Sequence, residues 1–177
     1  ALYEGVLHKK VKGEFFLKLC IKHLPQEKNN LVVNRTLSFL RIIYSTYLDE
    51  GSRQLIQDDL ERFCINMVNN KAEGKNKKSY FNTLLSICSS PKSCSYLSSV
   101  LKGEQDLPED VTINEQDKIS IAFNLVLRDT SVYEDTKAYI MRTVKNKDLL
   151  DRFEYVYPSL SGDKQVRDSV FNALLVR

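Results

Sequence analysis

The chain has 177 residues, of which 42% are hydrophobic and 28% charged, a length and balance that fit one folded, soluble domain, or two small ones sharing a core, and argue against a disordered chain. Its 26 lysines and arginines exceed its 23 aspartates and glutamates by only 3, too small a surplus for a polyanion-binding field, so nucleic acid is not expected as a partner. The longest apolar runs, LVV at 31–33 and FNALLV at 171–176, fall far short of the ~20 residues that a bilayer crossing needs, and no membrane span is expected.

The opening ALYEGVLHKK has no basic leader, apolar run or small-residue cleavage site, and so does not read as a signal peptide. Both ends are expected to be cuts through a longer chain. The first predicted helix lies around Val11, Phe15, Phe16, Leu19 and Cys20, with His23 near its C-terminus just ahead of Pro25, where a cation suits the helix dipole.

The clearest helical stripe runs over 31–48. Val33, Leu37, Leu40, Tyr44 and Tyr47 line one face, Ile43 and Leu48 widen it, and Asn34, Arg35, Ser38 and Arg41 are left to water. Later stripes use Ile56, Leu60, Phe63, Cys64 and Met67, then Phe81, Leu84, Leu85 and Cys88, then Cys94, Leu97 and Leu101. The polar stretch KAEGKNKK at 71–78 reads as a solvated interhelical loop.

Beyond it the pattern continues through Ile119, Ala122, Phe123 and Val126, through Tyr133, Ile140 and Val144, through Leu149, Phe153 and Val156, and ends on Val166, Val170, Phe171 and Leu174. Tyr44, Tyr47 and Tyr133 all sit at core periodicity and are predicted to pack. Ser90 before Pro91 is a capping hydroxyl ahead of a proline at the first helical position. Thr112 to Glu115 and Ser131 to Glu134 have the capping-box form. No alternating run long enough for a strand remains. The expectation is an all-α chain, an α-solenoid or HEAT-like superhelical array of about nine helices in a single domain over 1–177. Sub-bundles of about 1–102 and 112–177 would be joined by the 103–111 loop, which holds Gly103 and Pro108.

Chemistry has little to work with here. His8 and His23 are the two histidines and lack the H-E-x-x-H spacing of a metal helix. Cys20, Cys64, Cys88 and Cys94 form no C-x-x-C pair and fall along apolar stripes, so they read as reduced packing residues that fit a reducing compartment such as the cytoplasm, against the alternative of a Cys88–Cys94 bridge. The carboxylate pairs Asp58 and Asp59, Glu109 and Asp110, and Glu134 and Asp135 are sequence neighbours, which on a helix do not face one another. The six glycines form no phosphate loop. No catalytic, cofactor-binding or metal-binding residue is predicted.

The order YLSSVLKGEQDLPEDVTINEQDKISIAFNLVL, a helix pair, then YPSLSGDKQVRDSVFNALL resembles the C-terminal helical domain of the zinc-dependent aminopeptidase N family, also named after the endoplasmic-reticulum aminopeptidases. Leu101, Gly103, Leu107 and Pro108 match its first motif, and Pro158, Lys164 and Phe171 its second. FLKLCIKHLPQEKNNLVVNRTLSFLRIIYSTYLDEGSRQ is similar to a further family stretch, so the likeness spans residues 14 to 175. This chain reads Lys118, Ile119 and Ser120 where the family often has Arg-Trp after the acidic cap, and Phe171 where Trp is usual.

The resemblance implies a noncatalytic domain that caps the active-site cleft of a zinc aminopeptidase and encloses a chamber for peptides with a free N-terminus. Its partners would be the catalytic domain of the same chain and peptide substrates. Zinc would sit in that separate domain and none in this fragment, and the 98–118 joint would be a bend between two subsets of the stack. The alternative is a stand-alone helical-repeat adaptor that binds a peptide or protein in its groove.

Overall fold

A computed structural model describes residues 2–70 and 76–175. They form ten α-helices and, among the described residues, no strand. In chain order these are α1 (Leu2–Leu7), α2 (Gly13–His23), α3 (Asn30–Ile42), α4 (Glu50–Asn69), α5 (Lys77–Ile87), α6 (Pro91–Lys102), α7 (Glu115–Arg128), α8 (Tyr133–Thr143), α9 (Lys147–Val156) and α10 (Lys164–Leu175). The chain is all-α, as its periodicity predicts. Helix α1 is the addition: at six residues with Val6 alone buried, it is too short to leave a stripe in the sequence.

Two compact units divide the chain, Ala1–Ser93 with Asp106–Thr112, and Cys94–Gln105 with Ile113–Arg177. The boundary falls inside α6, after Ser93, and the 103–111 loop is shared, its last six residues belonging to the first unit.

In the first unit α4 packs along α5, α2 lies on α4 and α3 on α5. Leu17, Leu40, Ile43, Leu60, Phe81 and Leu84 are fully buried, and Phe63 meets Tyr80 edge-on with ring centroids 5.6 Å apart. Burial of this kind stabilises by ~2 kcal/mol per large side chain. The inward face of α2 uses Phe16, Leu17 and Cys20, and Phe15, predicted to pack, is exposed.

Tyr47 is a second correction. Residues Ile43–Tyr47 form a π turn, whose wider i→i+5 winding rotates the following positions off a 3.6-residue stripe. Tyr44 stays buried, Tyr47 is 44% exposed, and Leu48 closes the core instead in extended backbone. Met67 likewise yields the buried position to Val68, and Val156 is exposed.

Side-chain caps fix most starts. Asn29 accepts from the N–H of Leu31 at 3.0 Å, Asp49 from Ser52 at 2.8 Å and Asn146 from Leu149 at 3.1 Å. Ser90 accepts from the Ser93 N–H at 3.3 Å, so the Ser-Pro reading holds. The box predicted at Thr112 is formed two residues later: Asn114 accepts from the Asp117 N–H at 2.8 Å, and Asp117 accepts from the Asn114 N–H at 2.9 Å. At 129–132 the cap is Asp129, which accepts from the Ser131 N–H at 2.9 Å, and Thr130–Val132 form a short 3-10 turn ahead of α8. In both places an Asx side chain, one atom longer than a hydroxyl, takes the capping role from a nearby Ser or Thr.

Helix α6 ends on a Schellman turn. Gly103, at φ +74°, donates to the Val100 carbonyl at 3.2 Å, and Glu104 to that of Ser99 at 2.9 Å. Gly103→Ala is expected to lower stability by ~1 kcal/mol, because a Cβ disfavours that left-handed backbone; an unchanged denaturation midpoint would contradict the turn. Leu48→Ala should cost ~2–4 kcal/mol, whereas Tyr47→Ala should cost under ~1. The reverse order in urea melts would show that the face does not rotate at the π turn.

Candidate functional site

The residues singled out from the sequence lie apart in chemical role. His23 ends α2 and His8 follows α1, both exposed. Asp59 makes a 3.5 Å ion pair with Arg62 on its own helix, while Glu134 and Asp135 occupy the first turn of α8, where acids suit the dipole. Among the described residues no group of three or more His, Cys, Asp or Glu side chains is placed to hold a metal ion.

All four cysteines are thiols rather than disulfides. Burial pushes the Cys20 thiol up to about 12. Burial, and after it the nearby Glu61 charge, raises Cys64. Neither ionises near neutral pH, so both act as packing groups rather than nucleophiles.

One heavily bonded polar group is passed over by the periodicity. Glu61 lies on α4 with 1% of its surface exposed. Its carboxylate accepts from the backbone N–H groups of Ser89 at 2.7 Å and Ser90 at 3.2 Å, from the Ser93 hydroxyl at 2.7 Å, and from the Ser90 hydroxyl. A carboxylate at the start of α6 meets both the unpaired N–H groups and the positive end of that helix. A buried charge persists only with this degree of satisfaction.

Lys77 and Lys78 correct the reading of KAEGKNKK as a solvated loop. Residues 71–75 lie outside the described residues, but Lys77 and Lys78 open α5 and reach the 106–112 segment. Lys77 Nζ is 3.1 Å from Asp110 Oδ1, and Lys78 Nζ donates to the Thr112 carbonyl at 2.8 Å.

In the second unit, Glu115 in the first turn of α7 accepts from the backbone N–H groups of Lys145 at 2.8 Å and Asn146 at 3.1 Å. Those two bonds, the Lys145 one foremost, hold its carboxyl below the ordinary range. Phe123, Phe153, Tyr133 and Tyr157 form an aromatic cluster, with Phe153 and Tyr157 rings 4.4 Å apart and the Tyr157 hydroxyl donating to the Tyr133 carbonyl at 2.9 Å. Tyr133 therefore packs as predicted, stacked on Tyr157.

Helix α10 departs most from expectation. It packs on the Tyr157–Leu160 turn and is tied there by the Arg167 guanidinium, which donates to the Ser161 carbonyl. None of its described residues is buried. Val166 and Val170 are half-covered, while Phe171 (61%), Leu174 and Leu175 are exposed. The second half of the stripe read from the sequence stays exposed among the described residues. A periodic stripe records which face favours burial and not what provides the cover.

Comparison with protein-family models, with curated proteins and with solved structures finds no match to this chain. The helices contain no segment long and apolar enough to cross a membrane, among the described residues.

Glu61→Ala is expected to cost ~3 kcal/mol, because it leaves buried N–H groups unsatisfied; a loss under ~0.5 kcal/mol in chemical denaturation would contradict the assignment. For Glu115 the folded pKa lies below the unfolded one, so its contribution is full above the unfolded carboxyl range and fades as pH falls through the folded value. Glu115→Gln should therefore flatten the acid limb of the stability profile below about pH 4.5, and an unaltered limb would count against these bonds.

Proposed function

We propose that this chain is a noncatalytic helical-array domain of the kind that caps the cleft of aminopeptidase N-type zinc enzymes and walls the peptide chamber. The observation that carries this reading is the apolar face of α10. Phe171 and Leu174, which stand in the family-like second motif, are exposed, as a helix shaped to meet a further layer of protein requires. Neighbour-to-neighbour packing supports it. In the first unit α1 meets α2, α2 meets α3 and α4, and α3 and α4 meet α5; in the second α7 meets α8 and α9. Contacts between successive and next-but-one helices are those that a stacked array makes.

In this reading zinc and the hydrolytic groups belong to a separate domain of the same chain. The helices here supply shape, excluding folded chains and admitting peptides. Its runner-up, a free-standing adaptor, draws on the same α10 face with a separate protein as the covering layer.

Phe171→Asp separates these roles. In the 177-residue chain the change should shift stability by under ~0.5 kcal/mol, since the site is exposed. In the complete native protein it should lower peptide turnover with zinc content unchanged. Full turnover would overturn the cap assignment, as would shortening the joint by deleting Glu104–Asp106 without any loss of peptide hydrolysis.

A further inference from the structure

Lysines suit the end of a helix, yet α5 begins with two of them, at the positive pole of its dipole. Its N-cap, Asn76, makes no capping side-chain bond; its amide donates instead to the Asn30 side chain at 2.9 Å. Lys77 is 8% exposed, and its ammonium, set against the dipole, has the half-exposed Asp110 carboxylate at 3.1 Å as its counter-ion. A buried cation in that position depends on its partner charge.

The Asp110 side buries little surface. Asp106–Thr112 belongs to the first unit, while the residues before and after it in the chain belong to the second. It contains no helix, and Val111 is its one buried residue. The Val111 N–H closes a turn on the Pro108 carbonyl at 2.8 Å, and Lys78 holds the Thr112 carbonyl. Segments with so little buried surface open locally, well below the free energy of global unfolding.

We propose that residues 106–112 are a charge-gated strap on the start of α5, seated by the Lys77–Asp110 pair and by Val111, and released as a unit while the rest of the first unit stays folded. Losing the Asp110 charge leaves Lys77 without its counter-ion, and the side chain relieves that by turning out to water, which unseats the strap. Neutralising Lys77 removes the need for the pair and leaves the strap on Val111.

Amide hydrogen exchange on the 177-residue chain tests this. In the unmodified chain the Val111 amide should exchange by an opening that is nearly independent of low denaturant, while amides of α4 around Leu60 follow global unfolding. Asp110→Asn should speed Val111 exchange at least ten-fold and leave Leu60 within two-fold. Lys77→Met combined with Asp110→Asn should return Val111 to within about three-fold of the unmodified rate, and Glu109→Gln should have no effect. Val111 tracking Leu60 in denaturant would overturn the strap, as would an equal acceleration by Glu109→Gln or no rescue by Lys77→Met. If Asp110→Asn does not fold, the denaturant series on the unmodified chain decides alone.

Discussion

The first unit depends on one buried charge. Glu61 is buried on α4 and takes four hydrogen bonds from Ser89, Ser90 and Ser93. Those bonds fix where α6 starts. The cost of holding a carboxylate out of water is offset because the donors at the start of a helix have no intrahelical partners of their own. One residue therefore satisfies two sets of groups that would otherwise destabilise the core. Its charge also discourages ionisation of Cys64 one turn along the helix.

Charge does related work elsewhere. Glu115 joins the start of α7 to the turn ahead of α9, and Asp110 meets Lys77. In each case a carboxylate ties an irregular segment to a helix terminus. An all-α chain satisfies its backbone within its helices, so the groups left over concentrate at helix ends. Long-range polar ties at those ends therefore decide which loops are held. The outer half of α10 is an apolar face that the second unit's own packing leaves open, as it does Leu127, Tyr155 and Val156.

Much of the helical pattern was legible in the sequence because a buried face repeats every three to four residues: Val33, Leu37 and Leu40, or Phe81, Leu84 and Leu85, occupy the core as their spacing says. Ser90 with Pro91 was legible too, since the pair has a local meaning. Glu61 was not. In DDLERF it looks like one more surface acid, and its partners lie about thirty residues along the chain. Tyr47 was misplaced because a π turn has no signature in composition, and the Thr112 box because Asn114 competes for the same N–H groups. Lys77 reads as loop until Asp110 is brought to it. For α10 the sequence pointed to a packed stripe, and the structure buries none of it, because periodicity records an apolar face and not what covers it.

The most direct test of the proposed role is a measurement on the native protein that carries this sequence: chain mass, zinc per chain, and release of N-terminal residues from aminoacyl chromogenic substrates. A chain several times longer than 177 residues, with about one zinc and N-terminal residue release, is the result that the cap assignment predicts. A short, metal-free and inactive chain would contradict it and would assign the open face of α10 to a separate protein partner.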